Sequence, residues 1–210
     1  MSEILNYLFQ QYSSYSQIDV GLEIFAVIFG FLSVWYSKNN NVLVFPTGLI
    51  NTSIFVYLLI KWELLGDMII NAYYFIISIY GWYYWTRKNS NNNYTPISKV
   101  DFNDKKIILI ISILSAIFVS LLYSLFDKWS GIVSYVDILT TSIFFAGMWL
   151  MARRKIESWI FWIIGDLISV PLYIYKGLAF TSFQYFIFTF IAIAGYYKWK
   201  SIYSRKNQIA

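Results

Sequence analysis

Six polar side chains interrupt otherwise apolar runs: Glu23, Asn51, Asn71, Asp137, Asp166 and Gln184. A charge or amide is costly in lipid unless it is paired or faces water, so each marks structure or function. Two of them lie within aromatic stripes. On a helix turning about 100° per residue, Asn71, Tyr74, Ser78, Trp82 and Trp85 share one face. Trp159, Trp162, Asp166, Ser169 and Tyr173 share another. Such stripes suit a flat aromatic ligand that carries a positive charge. Rings stack on its body and hold a cation over their faces, a carboxylate offsets the charge, and amides orient polar substituents. The candidate binding residues are therefore Trp162, Asp166, Trp159, Asn51, Asn71, Tyr74, Trp82, Asp137 and Gln184.

Each has a plainer reading. Trp35, Trp82, Trp85 and Trp199 fall near helix ends, where tryptophan anchors a helix at the interface. Asn51 and Asn71 could serve as hydrogen-bonding glue between helices. Glu23 and Asp137 could pair with a basic residue, cap a neighbouring helix or carry a proton. Trp162 and Tyr74 lie deeper, where anchoring does not explain them. Pro171, about one turn beyond Asp166, frees backbone carbonyls beside the stripe and suggests a bend or hinge.

Other chemistry is poorly served. With no cysteine and no histidine, the chain has no thiol nucleophile, imidazole base, disulfide or usual zinc site. It also lacks a Gly-Lys-Ser/Thr phosphate loop. Neither Asp137 nor Asp166 has a second carboxylate three residues away, which disfavours an intramembrane metal enzyme. No catalytic residue, cofactor or metal is expected. The net charge of +5 reads as membrane topology, not as nucleic-acid binding.

These residues must be positioned by membrane-spanning helices. Apolar runs at about 18–37, 42–60, 66–86, 106–126, 133–152, 157–175 and 180–200 are each near the ~20 residues that cross a bilayer. The 210 residues leave no room for a soluble domain, so one all-α membrane domain spanning 1–210 is expected. The N-terminus lacks the basic flank of a cleaved signal, so the first helix is expected to be retained. The polar stretch around Asn89–Asp104, with its Asn-Ser-Asn-Asn-Asn run, reads as a flexible connector. Lysine and arginine divide unevenly between the two sets of loops: thirteen of sixteen fall on one side. Basic residues gather in the cytoplasm, which places the N-terminus outside and the C-terminus inside.

A weak internal repeat is visible. Gly81-Trp82-Tyr83-Tyr84-Trp85 and Gly195-Tyr196-Tyr197-Lys198-Trp199 stand 114 residues apart, each before a basic cluster. Asn51 and Asp166, like Lys61 and Lys176, stand 115 apart. The expected design is two parallel three-helix repeats, at about 18–86 and 133–200, joined by a linker helix at about 106–126.

The chain resembles the bacterial PnuC family of vitamin transporters over nearly its whole length. The resemblance rests on Ile79-Tyr80-Gly81-Trp82-Tyr83-Tyr84-Trp85, preceded by Asn71 and Tyr73-Tyr74-Phe75. It rests also on Glu157-Ser158-Trp159, Trp162, Asp166 and Ile168-Ser169-Val170, where Trp-x-x-Trp precedes Asn or Asp by four residues. Asp137 with Thr140 and Thr141 fits the fifth-helix pattern. The resemblance implies seven helices in a three-plus-one-plus-three order, a homotrimer, and facilitated diffusion of nicotinamide riboside across the bacterial inner membrane. Phosphorylation in the cytosol would trap the vitamin. It also admits a thiamine transporter. Asp stands at 166 where several nicotinamide riboside members have Asn, and an extra carboxylate suits thiamine. A neutral-sugar uniporter would not need two aromatic stripes with carboxylates.

Overall fold

The computed structural model describes residues 16–62, 64–88, 94–176 and 179–209. Within them lie seven α-helices: α1 (Gln17–Lys38), α2 (Val44–Lys61), α3 (Leu65–Thr86), α4 (Phe102–Leu125), α5 (Ile132–Ala152), α6 (Ser158–Tyr175) and α7 (Ala179–Ile209). Five of them, α1, α2, α4, α5 and α6, are long and apolar enough to cross a membrane. The other two, α3 and α7, are 22 and 31 residues long.

Burial runs opposite to that of a soluble protein. Ile28, Leu109, Ile113, Ile117 and Leu121 are exposed, whereas Ser37, Thr52, Ser78, Ser115 and Thr140 are buried. Lipid tails are as apolar as leucine, so small and polar residues take the interior and aliphatic ones face out. The hydroxyl of Ser115 on α4 donates to that of Ser142 on α5 at 3.0 Å. Helix α4 packs on α5 alone among its neighbours with extensive contact.

Helices α1, α2 and α3 pack in sequence, as do α5, α6 and α7, and the two groups meet through α3 with α5 and α1 with α7. Successive helices alternate in direction. One end gathers the connections at 39–43, 94–101 and 153–157, the basic end. The other gathers 126–131 with Lys61 and Lys176.

Contacts at the basic end recur at a spacing of 114. The indole N–H of Trp85 donates to the Met151 carbonyl at 3.2 Å, and that of Trp199 donates to the Ser37 carbonyl at 3.0 Å. A Cβ on Gly81 would collide with Phe45, and one on Gly195 would come within 2.7 Å of the Trp159 ring. Each pair has its counterpart 114 residues on. Phe45, Trp85, Trp159 and Trp199 join in one buried cluster with Met151, Ile156 and Ile97.

At the opposite end the clasps are ionic. Lys61 Nζ lies 2.6 Å from Asp19 Oδ2, joining α2 to α1, and Lys176 Nζ lies 2.6 Å from Asp137 Oδ2, joining α6 to α5.

Three features differ from those read in the sequence: the start of α4, the connector before it, and the end of α7, which reaches Ile209, nine residues past the expected 200. Helix α4 starts four residues early because Asp101 and Asp104 form a capping box, each carboxylate accepting the other's backbone N–H. The stretch from 94 to 101 is fixed, not a flexible tether. Ser98 N–H donates to the Arg154 carbonyl and Ile156 N–H donates to the Ser98 carbonyl, at 3.1 and 3.0 Å. The Asn-Ser-Asn-Asn-Asn run lies outside the described residues. Helix α6 continues through Pro171.

Candidate functional site

Helix α6 supplies the centre of the site. It approaches α5 closely because Gly147 and Gly165 remove two side chains from the interface. A Cβ on Gly165 would strike Phe144, and one on Gly147 would stand 3.1 Å from Phe161 Cβ. Phe144 therefore seats its ring 5.5 Å from that of Trp162. Asp166, next in the chain after Gly165, is 2 % exposed. None of the ion pairs among the described residues includes it.

Helices α3 and α7 complete the surround. Tyr74 and Tyr185 lie near enough to Asp166 to feel its charge. Tyr185 stacks on Phe144 at 5.8 Å and on Tyr173 at 5.2 Å. Tyr74 is held by its neighbour: Tyr73 stacks on Phe145 at 4.0 Å and donates its hydroxyl hydrogen to the Phe145 carbonyl at 2.9 Å. Trp162, Phe144, Tyr185 and Tyr173 thus form a file of rings beside a buried carboxylate, with Tyr74 facing it from α3. Such an arrangement can stack a flat ring, hold a cation over π-faces and accept hydrogen bonds at Asp166.

The other residues singled out in the sequence are placed as follows. Gln184 precedes Tyr185 on α7 and is half-buried. Trp159 lies in the buried cluster at the basic end, edge-on to Trp199 at 5.6 Å. Asn51 fills the space over Gly30 and donates its amide hydrogen to the Ala26 carbonyl at 2.7 Å, tying α2 to α1. Asn71 donates to the Asp67 carbonyl of its own helix at 3.0 Å. Trp82 is 41 % exposed, away from the file of rings. Asp137 accepts from Tyr123 at 2.6 Å and holds Lys176, which itself lies 5.2 Å from the Tyr173 ring centre.

The file occupies one half of the molecule. At a distance of 114 residues, Gly48, Gly30, Thr52 and Asn71 stand where the second half has Trp162, Phe144, Asp166 and Tyr185. Three of the first half's four positions thus lack a ring and the fourth lacks a carboxylate. A separate apolar groove of about 470 Å³ runs along the outside of α5 and α6, lined by Val133, Val136, Leu167, Pro171 and Tyr175. Leu167 and Tyr175 are more than half exposed there, so it is a surface for lipid and not part of the site.

The sequence profile of the nicotinamide mononucleotide transporter family matches residues 20–201. The chain belongs to that family. Among the transporter family's members, the nicotinamide riboside transporter PnuC of Escherichia coli (strain K12) is 24 % identical over 203 residues, covering 85 % of this chain and 84 % of that protein. The riboflavin/roseoflavin transporter RibM of Streptomyces davaonensis is 24 % identical over 130 residues, covering 59 % and 58 %. The crystal structure of the vitamin B3 transporter PnuC shares the fold with a TM-score of 0.65, at 18 % identity, over 96 % of this chain and 90 % of that one. This transporter-family chain is thus an all-helical, multi-pass membrane protein.

Proposed function

We propose that the protein takes up nicotinamide riboside by facilitated diffusion, the vitamin being trapped by phosphorylation in the cytosol. The carrying observation is Asp166, a buried carboxylate with no ion-pair partner among the described residues, set beside the rings of Trp162, Phe144 and Tyr185. A pyridinium ring supplies both the flat face and the charge that such a site lacks. The E. coli relative is a nicotinamide riboside transporter, which supports the reading. Trp162, Asp166, Tyr74 and Gln184 contact the ligand in this scheme. Asn51, Asn71 and Asp137 support the helices, and Trp159 and Trp82 serve the core and the interface.

Thiamine is the second reading. It also carries a cationic ring, and the carboxylate at 166 favours it over members with Asn there. The two triplets, α1–α3 and α5–α7, act as parallel repeats around α4; the contacts spaced by 114 residues support this, as does the matching of α3–α5 with α1–α7. The basic end faces the cytoplasm, with the N-terminus outside and the C-terminus inside, in a bacterial inner membrane and as a homotrimer.

The test is direct binding to the purified protein of nicotinamide riboside, thiamine and riboflavin, side by side. Saturable binding of the first with weaker binding of the others is expected. Binding of riboflavin alone would defeat a cation site, and preferential binding of thiamine would select the second reading.

A further inference from the structure

Two ion pairs clasp the end opposite the basic loops, and they are not equal. Asp19–Lys61 joins α1 to α2; Leu58, one turn before Lys61, is fully buried. At the corresponding place before Lys176 stands Tyr173. The Lys176 ammonium lies 5.2 Å from that ring's centre, while its carboxylate partner Asp137 is 2.6 Å away. Tyr173 is the first ring of the file that continues through Tyr185 and Phe144 to Trp162. Lys176 sits over a ring face that belongs to the file, and no cation–ring contact among the described residues involves Lys61.

We propose that Lys176 is the outer gate of the site: a tethered cation that holds the place of the substrate's charge over Tyr173 and against Asp137, and that an arriving cation displaces. This rests on the reading of the site as one for a cationic ring. Two features support it. Asp137 keeps the hydroxyl of Tyr123, at 2.6 Å, when the lysine leaves, so its carboxylate stays oriented. Exposed Asp67, at the start of α3, lies close enough to feel both Asp137 and Lys176. Asp67 thus acts on the clasp through charge alone; the ion pair of Lys176 among the described residues is with Asp137. The net negative mouth draws a cation, and the occupied ring face excludes neutral molecules that cannot displace an ammonium. Lys176 is thus a specificity-determining residue for access, distinct from the residues that hold the ligand.

The experiment uses the full chain in nanodiscs, with association rates followed by tryptophan fluorescence. The probes are nicotinamide riboside and uncharged riboflavin. Lys176→Met is expected to raise the association rate of nicotinamide riboside about tenfold at low salt and to steepen its salt dependence. Asp67→Asn should lower that rate several-fold with thermal stability unchanged. Lys61→Met, the matching change in the other clasp, should lower stability and leave the rate alone. Association unchanged in both Lys176→Met and Asp67→Asn, or changed alike for charged and neutral probes, overturns the gate. If Lys176→Met does not fold, Asp67→Asn decides alone. Should wild type bind neither nicotinamide riboside nor thiamine, the cation-site reading falls, and the gate with it. Wild-type binding with unaltered variant rates removes the gate only.

Discussion

Arg154 donates from Nε and Nη2 to the Oδ1 of Asn40, at 3.0 and 2.8 Å, although 114 residues separate the two. Both adopt left-handed backbone, with φ of 59° and 54°, where their helical hairpins turn. Two positions related by the spacing of the repeated contacts thus touch each other, as residues do on an axis between halves. The guanidinium also lies 4.5 Å from the Trp85 ring centre. Arg154→Ala removes both contacts and is expected to cost about 1.5–3 kcal/mol, the range for hydrogen bonds to a charged group. Thermal unfolding in detergent checks it. A loss below that of an ordinary surface substitution would show that the two hairpins do not lean on this pair.

The matched glycines make a paired prediction. A Cβ at Gly81 meets Phe45 and one at Gly195 meets the Trp159 ring. Gly81→Ala and Gly195→Ala should each destabilise by about 1–3 kcal/mol through overpacking. Trimming the ring across the interface, as in Gly81→Ala with Phe45→Leu, should recover part of that loss. No recovery in the double variant would mean that the clash is with backbone instead.

Trp162→Ala should weaken binding of the cationic vitamin about 30-fold, from the ~2 kcal/mol of a desolvated cation–π contact. Trp162→Phe should keep part of the affinity, since Phe144 still lies alongside. Titration of folded protein decides: unaltered affinity moves the ligand away from α6.

Asp166→Asn keeps the shape and removes the charge. No basic residue pairs with Asp166 among the described residues, so the variant should fold as well as wild type, a neutral amide being easier to bury than an ion. Binding of a cationic ring should weaken while riboflavin is unaffected. Equal affinities for the cation in both proteins would mean that Asp166 acts only as a hydrogen-bond acceptor.

The cap of α4 titrates. Backbone N–H donation from Asp104 holds the Asp101 carboxyl below its ordinary value of 3.8. A depressed carboxyl stabilises the fold fully above its ordinary value and loses that contribution as pH falls through the lower one. Amide exchange at Asp104 should therefore quicken, relative to its intrinsic rate, below pH 3.8. Asp101→Asn, which still caps, should show little of this change.

Much of the fold was legible because lipid imposes a simple rule: apolar runs of bilayer length become helices. Six were placed to within a few residues at both ends, and α7 runs nine residues past its expected end. The early start of α4 was missed because Asp101 and Asp104 look like loop residues until their mutual cap is seen. Asp166, Trp162 and Tyr74 were legible as polar or aromatic side chains too deep to be anchors. Phe144 was not, being one apolar residue in an apolar run; only the absence of side chains at Gly147 and Gly165 hints that α5 and α6 close around it. Tyr185 was hidden among nineteen tyrosines. Pairing of Asp137 with a basic residue was one of the readings its sequence position allowed, whereas the Asp19–Lys61 clasp escaped notice because Asp19 and Asp137 are not spaced like their lysines. Asn51 and Trp159 have the right chemistry for a ligand, but their side chains are engaged with Ala26 and Trp199.

The reciprocal indole bonds at the basic end carry a kinetic consequence. Trp85 reaches from α3 to the last turn of α5, and Trp199 from α7 to the last turn of α1. Any cargo that departs through this end must part those seams, stripping two carbonyls of their donors in one step and opening the Arg154–Asn40 bond. At about 1 kcal/mol or more for each bond, that toll falls on the opening of this end, as the parting of Lys176 from Asp137 falls on the other. Where that opening limits discharge, cooling should lengthen the time a molecule stays bound more than the time it takes to arrive.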